Sequence, residues 1–167
     1  MGNIATVVIT DVFVIEHGSK LDLNKMEIVD RPDAGVLFVG RSGEGNGIAA
    51  TVLEIPGLEP YPAGAITVAL GGSTLASFVQ PRRFYTAQNI DVLIPKAKMT
   101  LDEKLYYCLC IEANRFRYST FGREANRTLK HLQVPSRSSV PSWVKGATVK
   151  SVKDLSRDLL AVVREDA

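Results

Sequence analysis

The chain has 167 residues, of which 46% are hydrophobic and 23% charged, with two cysteines and a net charge of +2. That size suits one globular domain with a sizeable core, two cysteines exclude a disulfide-stapled scaffold, and no apolar run approaches the roughly 20 residues of a membrane span. The small net charge hides a segregation: residues 1–80 carry 4 basic against 9 acidic side chains, net −5, and residues 81–145 carry 12 against 5, net +7, which is the distribution a polyanion-binding face needs.

The N-terminal stretch has no basic leader and holds Asp11 inside its apolar run, so it reads as no signal peptide, and a cytoplasmic setting with no membrane contact is expected. Val7 to Ile15, rich in β-branched residues, predicts one strand closed by a turn at Glu16, His17 and Gly18. Val36 to Val39 and Ile48 to Leu53 predict two more strands, joined by a loop carrying Gly40, Gly43, Gly45 and Gly47; so many glycines let a backbone approach a ligand closely. Ala65 to Leu70 predicts a strand that turns through Gly71, Gly72 and Ser73 into Thr74 to Gln80. Pro81, Arg82 and Arg83 interrupt the pattern before Phe84, and Ile90 to Ile94 is the last clear strand, ended by Pro95.

Thr100 followed by Glu103 is a capping box, predicting a helix from Leu101 that buries Leu105, Cys108, Leu109 and Ile111, because nearly every side of it is apolar. The chain changes character at Asn114, and Gly122 marks a break before a second helix. If Arg123 to Leu132 is helical, Ala125, Leu129 and Leu132 share one face while Arg123, Asn126, Arg127 and Lys130 share the other. Tyr118 and Phe121 read as core or hinge packing. Gln133 to Ser142 predicts a proline- and serine-rich loop, and Val149 to Val163 a terminal helix with the apolar stripe Val152, Leu155, Leu159 and Val162. The boundaries that follow are a body at 1–145 and an amphipathic helix at 146–167. The fold class predicted is α+β, a twisted, mainly antiparallel sheet in the N-terminal part with helices after it.

Enzymatic motifs fail one after another. Gly45 to Ala50 fits a G-x-G-x-x-A spacing, but a β-branched run ending at Pro56 follows it, so no helix N-terminus receives a pyrophosphate. The loop lacks the G-K-[ST] ending of a P-loop, no serine sits in a G-x-S-x-G elbow, and His17, His131, Cys108 and Cys110 lack metal-ligand spacing. No cofactor and no metal are expected.

The order of pieces carries more. A Gly-rich turn with Asn46-Gly47, then Gly64 to Val68, Gly71-Gly72-Ser73, Phe84 to Ile90, Val92 to Pro95, and finally Phe121-Gly122-Arg123, Asn126-Arg127 and Leu129-Lys130 resembles, from about Val12 to Val144, the target recognition domain of restriction-modification specificity subunits, type I and related type II. The resemblance implies a non-catalytic, sequence-specific reader of double-stranded DNA that directs a partner methyltransferase or restriction subunit. A specificity subunit of the usual size carries two such domains separated by long helices, and this chain has one. The resemblance further implies that helices after a recognition domain carry the partner contact, so the terminal stripe is expected to pair with another chain or a second copy, docking onto its own body being the alternative. The alternative function is a small self-contained nuclease or hydrolase of a defence system.

The residues themselves divide by role. Arg123, Arg127 and Lys130, with Arg115, Arg117 and Asn126 beside them, suit phosphates; Arg41, Ser42 and Asn46 in the first loop, Ser73 and Thr74 in the second, and Gln80, Arg82 and Arg83 near the third have the paired donors and acceptors that base reading uses. As hairpin corners, Asn46-Gly47 and Gly71-Gly72 are also ordinary turn chemistry.

Overall fold

The computed structural model describes residues 4–118, 125 and 128–154. Its first departure from the pattern lies in the first apolar run, which is not one strand but three pieces: β1 (Thr6–Val8), a single helical turn α1 (Ile9–Val12) and β2 (Phe13–Glu16). The turn is needed because the run serves two sheets. β1 pairs antiparallel with β9 (Gln133–Pro135), β2 pairs antiparallel with β8 (Ile90–Pro95), and α1 re-aims the chain between them. Ile9 and Val12 both point inward, at 0% and 4% exposure, and the Ile9 amide is satisfied by the Leu132 carbonyl at 2.8 Å. β-branched content alone cannot reveal such a turn, because burial of both residues overrides their strand preference.

Two larger sheets carry the body. A four-stranded sheet runs β2-β8-β5-β6, with β5 at Ile66–Ala69 and β6 at Ser77–Val79, and every pairing in it is antiparallel. A three-stranded sheet runs β4-β3-β7, built from β3 (Val36–Val39), β4 (Ile48–Val52) and β7 (Phe84–Thr86). β3 and β4 form a hairpin, whereas β3 and β7 are parallel. β7 follows the interruption at Pro81 to Arg83, and its Phe84 and Tyr85 are wholly buried. The mainly antiparallel α+β architecture expected from the pattern is the one present.

α2 (Leu101–Glu112) begins at the capping box: the Thr100 hydroxyl accepts from the Glu103 amide at 3.2 Å, and the Glu103 carboxylate accepts from the Thr100 amide at 2.7 Å. The bond from the Thr100 amide, with a second from the Thr100 hydroxyl at 3.0 Å, holds the Glu103 carboxyl below its ordinary pKa. The helix is not buried all round. Tyr107, Cys108 and Ile111 enter the core against Phe13, Ile66 and Val134, but Leu105 and Leu109 are 38% and 64% exposed. A helix laid on β6 and β9 can bury only the face it turns to them, and its remaining apolar side chains, Leu101 included, stand outside at i, i+4 and i+8.

Of the second predicted helix, Arg123, Asn126 and Arg127 lie outside the described residues, and Leu129–His131 is a single 3-10 turn. Its predicted inner face does pack: Ala125, Leu129 and Leu132 are all at most 2% exposed. Residues 147–154 are helical, and of the terminal stripe Val152 is described, 59% exposed, while Leu155, Leu159 and Val162 lie outside.

Candidate nucleic-acid interface

The strand registers decide which loops meet. β3 ends at Val39 and β7 at Thr86 on the same side of the sheet because the two are parallel, and β4 starts beside Val39 because it is antiparallel. The glycine loop at Gly40 to Gly47 therefore stands at one end. Backbone hydrogen bonds continue the connections at that end: the Ser73 amide donates to the Arg41 carbonyl at 3.2 Å, the Leu70 amide to the Asn89 carbonyl at 2.9 Å, and the Ala125 amide to the Leu70 carbonyl at 2.8 Å. The Arg115 guanidinium donates to the Thr74 carbonyl at 3.0 Å. The first loop, the second loop and the basic segment after α2, separate in sequence, become one rim.

Glycine is required at two places on this rim. Gly47 closes the loop by accepting from the Gly40 amide at 2.7 Å; its φ is +71° and a Cβ there would stand 3.1 Å from the Gly40 carbonyl. Gly72, φ +68°, lets the second loop come against Arg41, whose Cβ and carbonyl lie 3.3 Å from where a Cβ would sit. Between Gly45 and Gly47, Asn46 also takes the left-handed conformation, φ +56°, which asparagine tolerates better than most residues. The tip is thus a tight, left-handed turn that presents an exposed carboxamide.

The predicted site residues fall into three groups. Arg41, Ser42 and Asn46 are exposed on the first loop, Ser73 and Thr74 are half-buried on the second, and Arg115, Arg117 and Lys130 are exposed on the segments that follow α2. The Arg41 guanidinium has no hydrogen bond or ion pair within the described residues. Arg82 and Arg83 form the second group, at the opposite end. Arg82 donates to the Gly35 carbonyl at 3.1 Å, and Arg83 is gripped by Glu54 at 2.8 Å and Glu59 at 2.9 Å; the Glu59 hydrogen bond, with the two carboxylate charges, raises the Arg83 pKa. Gln80 stands alone, and its assignment to base reading is corrected: its side chain is 0% exposed, so its amide cannot reach a groove. Arg123, Asn126 and Arg127 lie outside the described residues.

One feature of the rim escaped the sequence pattern. His17 Nδ1 lies 2.9 Å from the Asp91 carboxylate, whose side chain is 4% exposed, and together with Lys20, Leu70, Asn89 and Ile90 they line a cavity of about 200 Å³. The partners are 74 positions apart, so no local motif marks them. Lys20 and Asn89 both have positive φ, +55° and +58°, and the turn expected at Glu16, His17 and Gly18 was the local sign that the chain bends here. Among the described residues no group of three or more His, Cys, Asp or Glu side chains could hold a metal ion, and no helix is long and apolar enough to cross a membrane.

A rim of glycine-rich loops with exposed Arg, Asn and Ser and half-buried Ser and Thr beside a basic segment has the chemistry to contact phosphates and base edges. Residues 1–136 match the family of the type I restriction modification DNA specificity domain, and the chain belongs to that family. It is 26% identical over 142 residues to the specificity subunit S.BcgI of a type II restriction enzyme from Heyndrickxia coagulans, covering 83% of this chain and 40% of the relative. In fold it is similar to the HsdS subunit from Thermoanaerobacter tengcongensis, with a TM-score of 0.61 at 11% identity over 98% of this chain and 40% of that one. The S subunit of a type I system from M. genitalium gives a TM-score of 0.57 at 13% identity over 96% and 43%. The chain thus spans about two-fifths of the length of the relatives it matches.

Proposed function

We propose that this chain is a sequence-specific reader of double-stranded DNA that directs a partner methyltransferase or restriction subunit and does no catalysis itself. The observation that carries the reading is the rim: the Arg41–Ser73 backbone bond holds two loops edge to edge, and Arg115 ties the basic segment to the second. Arg41, Asn46, Ser73 and Thr74 supply base contacts; Arg115, Arg117 and Lys130, with Arg123, Asn126 and Arg127 beside them in sequence, supply phosphate contacts. Family membership supports this reading and gives none to a self-contained nuclease or hydrolase. Selection from a randomised duplex pool, followed by sequencing, tests it: one short sequence is expected to emerge. A pool that stays random, or metal-dependent cleavage by the purified chain, overturns it.

The division of labour proposed is reading by 1–145 and docking by 146–167, in a cytoplasmic setting where the DNA is accessible. Asp102 on α2 anchors the start of the terminal helix, accepting from the Gly146 amide at 2.8 Å, the Thr148 amide at 3.2 Å and the Thr148 hydroxyl. That grip lowers the Asp102 pKa, chiefly through the Thr148 hydroxyl. The stripe Val152, Leu155, Leu159 and Val162 then pairs with another chain or a second copy. Light scattering on the intact chain and on Leu155→Glu/Leu159→Glu is expected to show a dimer only for the former; monomers in both, with a large fall in melting temperature for the variant, would return the stripe to this domain's own core.

A further inference from the structure

Gln80 is an anomaly in energetic terms. Its side chain is fully buried, its Nε2 donates to the Asn46 carbonyl at 3.0 Å and to the Thr67 hydroxyl at 2.8 Å, and its Oε1 has no hydrogen-bond partner. A buried acceptor left unpaired is destabilising, and an apolar side chain of the same length would remove the penalty. Core stability therefore does not account for an amide at this place. What the amide does is reach the tip of the glycine loop.

That loop has little else to hold it. Internally, Gly40 bonds Gly47, Gly47 donates to Glu44, and the Glu44 amide donates to the Ser42 hydroxyl. Outward, among the described residues, two hydrogen bonds tie Gly40 to Gly47 to the rest of the molecule: Arg41 to Ser73, which is itself a loop, and Asn46 to Gln80, which is anchored in the four-stranded sheet. Gln80 is fixed there by its own backbone, donating to Ala65 at 2.9 Å and accepting from Gly64 at 2.7 Å, and Thr67 beside it is 2% exposed. The tip it grips is left-handed through three consecutive residues, a conformation that persists where the surroundings over-determine it.

We infer that Gln80 is a positioning residue for base reading: its buried amide clamps the Asn46 carbonyl and sets the angle at which Arg41 and Asn46 are offered to DNA. The inference rests on the DNA-reading proposal for its readout in specificity, but the clamp itself can be tested without DNA. In the wild-type chain, the side-chain amide protons of Gln80 are expected to exchange with solvent slowly, in step with the Gly47 amide; fast exchange at Gln80 overturns the clamp, and this arm needs no variant to fold. Gln80→Met keeps length and removes the donors. Exchange is expected to rise within Gly40 to Gly47 while the β3 and β4 amides keep their protection, and the preference for the selected duplex over random duplex is expected to fall about tenfold, the worth of one well-made base contact.

Thr67→Val removes the amide's other acceptor and leaves the Asn46 bond, so wild-type preference is expected. Wild-type loop exchange and preference in Gln80→Met overturn the inference. So does a Thr67→Val that flattens preference as far as Gln80→Met, since general loosening of the core would then explain both. Should the wild-type chain select no sequence, the DNA-reading proposal fails while the exchange measurements still decide whether Gln80 holds the loop.

Discussion

Arg41 and Arg83 stand at opposite ends of the three-stranded sheet, one after the last residue of β3 and the other before the first residue of β7, its parallel neighbour. Both are exposed, and both belong to glycine- or proline-bearing connections whose residue types suit base reading. Their surroundings differ. The end that carries Arg83 also carries the chain leaving β4, so Glu54 and Glu59 meet the guanidinium in a fork of three hydrogen bonds, whereas at the end that carries Arg41 the described residues bring no carboxylate to the guanidinium, and only the Arg41 carbonyl is engaged, by the Ser73 amide. An arginine whose donors are already spent on carboxylates gains less from a phosphate, because the exchange replaces one charge-assisted bond with another. On the proposed reading, strand direction and not charge count separates the arginines offered to DNA from those held by the scaffold.

A perturbation of the largest core cluster, under α2 and the four-stranded sheet, acts on the whole fold and sets the upper limit on what any comparison between the two ends can show. Burial pushes the Tyr107 hydroxyl up to about 12 from 10.0 and the Cys108 thiol up to about 12 from 9.0. In the folded chain both stay neutral where the unfolded chain ionises them, so stability is full below about pH 9 and is lost as pH rises through about 12. Melting temperature measured across that window is expected to fall steeply. Tyr107→Phe should flatten the fall, while at neutral pH it costs about 1 kcal/mol for the hydrogen bond to the Pro135 carbonyl.

The largest effect confined to one end belongs to Arg41→Ala. Preference at one base pair is expected to relax by about 1 to 3 kcal/mol if the guanidinium makes a bidentate contact to guanine, with affinity for random duplex nearly unchanged. Competition binding against single-base variants of the selected duplex measures it. Equal loss on selected and random duplexes would move Arg41 to the phosphates and leave base reading to Asn46, Ser73 and Thr74.

How much of this was readable beforehand follows the range of the interactions. The capping box at Thr100, the β3–β4 hairpin with its glycine loop and the inward face of Ala125, Leu129 and Leu132 depend on neighbours within a few positions, and periodicity finds those. The turn at Ile9 to Val12 depends on Leu132, the exposure of Leu109 on how α2 lies over β6, and the burial of Gln80 on Thr67 and Asn46. Each is a contact across the fold, and no spacing encodes it. Arg82 and Arg83 show the same limit at the site: their residue types suit base reading, but the Gly35 carbonyl and the carboxylates of Glu54 and Glu59 lie 24 to 47 positions away.

If occupancy is what distinguishes the two ends, emptying the occupied one should erase part of the distinction. Glu54→Gln/Glu59→Gln removes both charges and leaves Arg83 exposed. Binding to all duplexes is expected to strengthen alike, with the salt dependence steeper by about one unit of slope for one new phosphate contact. Sequence preference should not move. A salt slope equal to that of the wild type would mean that this end never faces DNA even when its cation is released.

The smallest effect expected is that of Arg83→Ala. Its ion pairs lie at the surface, where such pairs contribute little and salt screens them, so melting temperature should fall only slightly and the fall should shrink in high salt. DNA affinity and preference should stay at wild-type values, since the donors removed were already held by Glu54 and Glu59. This null is the sharper half of the comparison: Arg41→Ala and Arg83→Ala delete the same charge from the same sheet, and a net-charge account of binding predicts the same loss from both. Measured side by side against selected and random duplexes, a loss of preference in Arg83→Ala comparable to that in Arg41→Ala would mean that Arg83 exchanges its carboxylates for DNA, and that the second end reads bases after all.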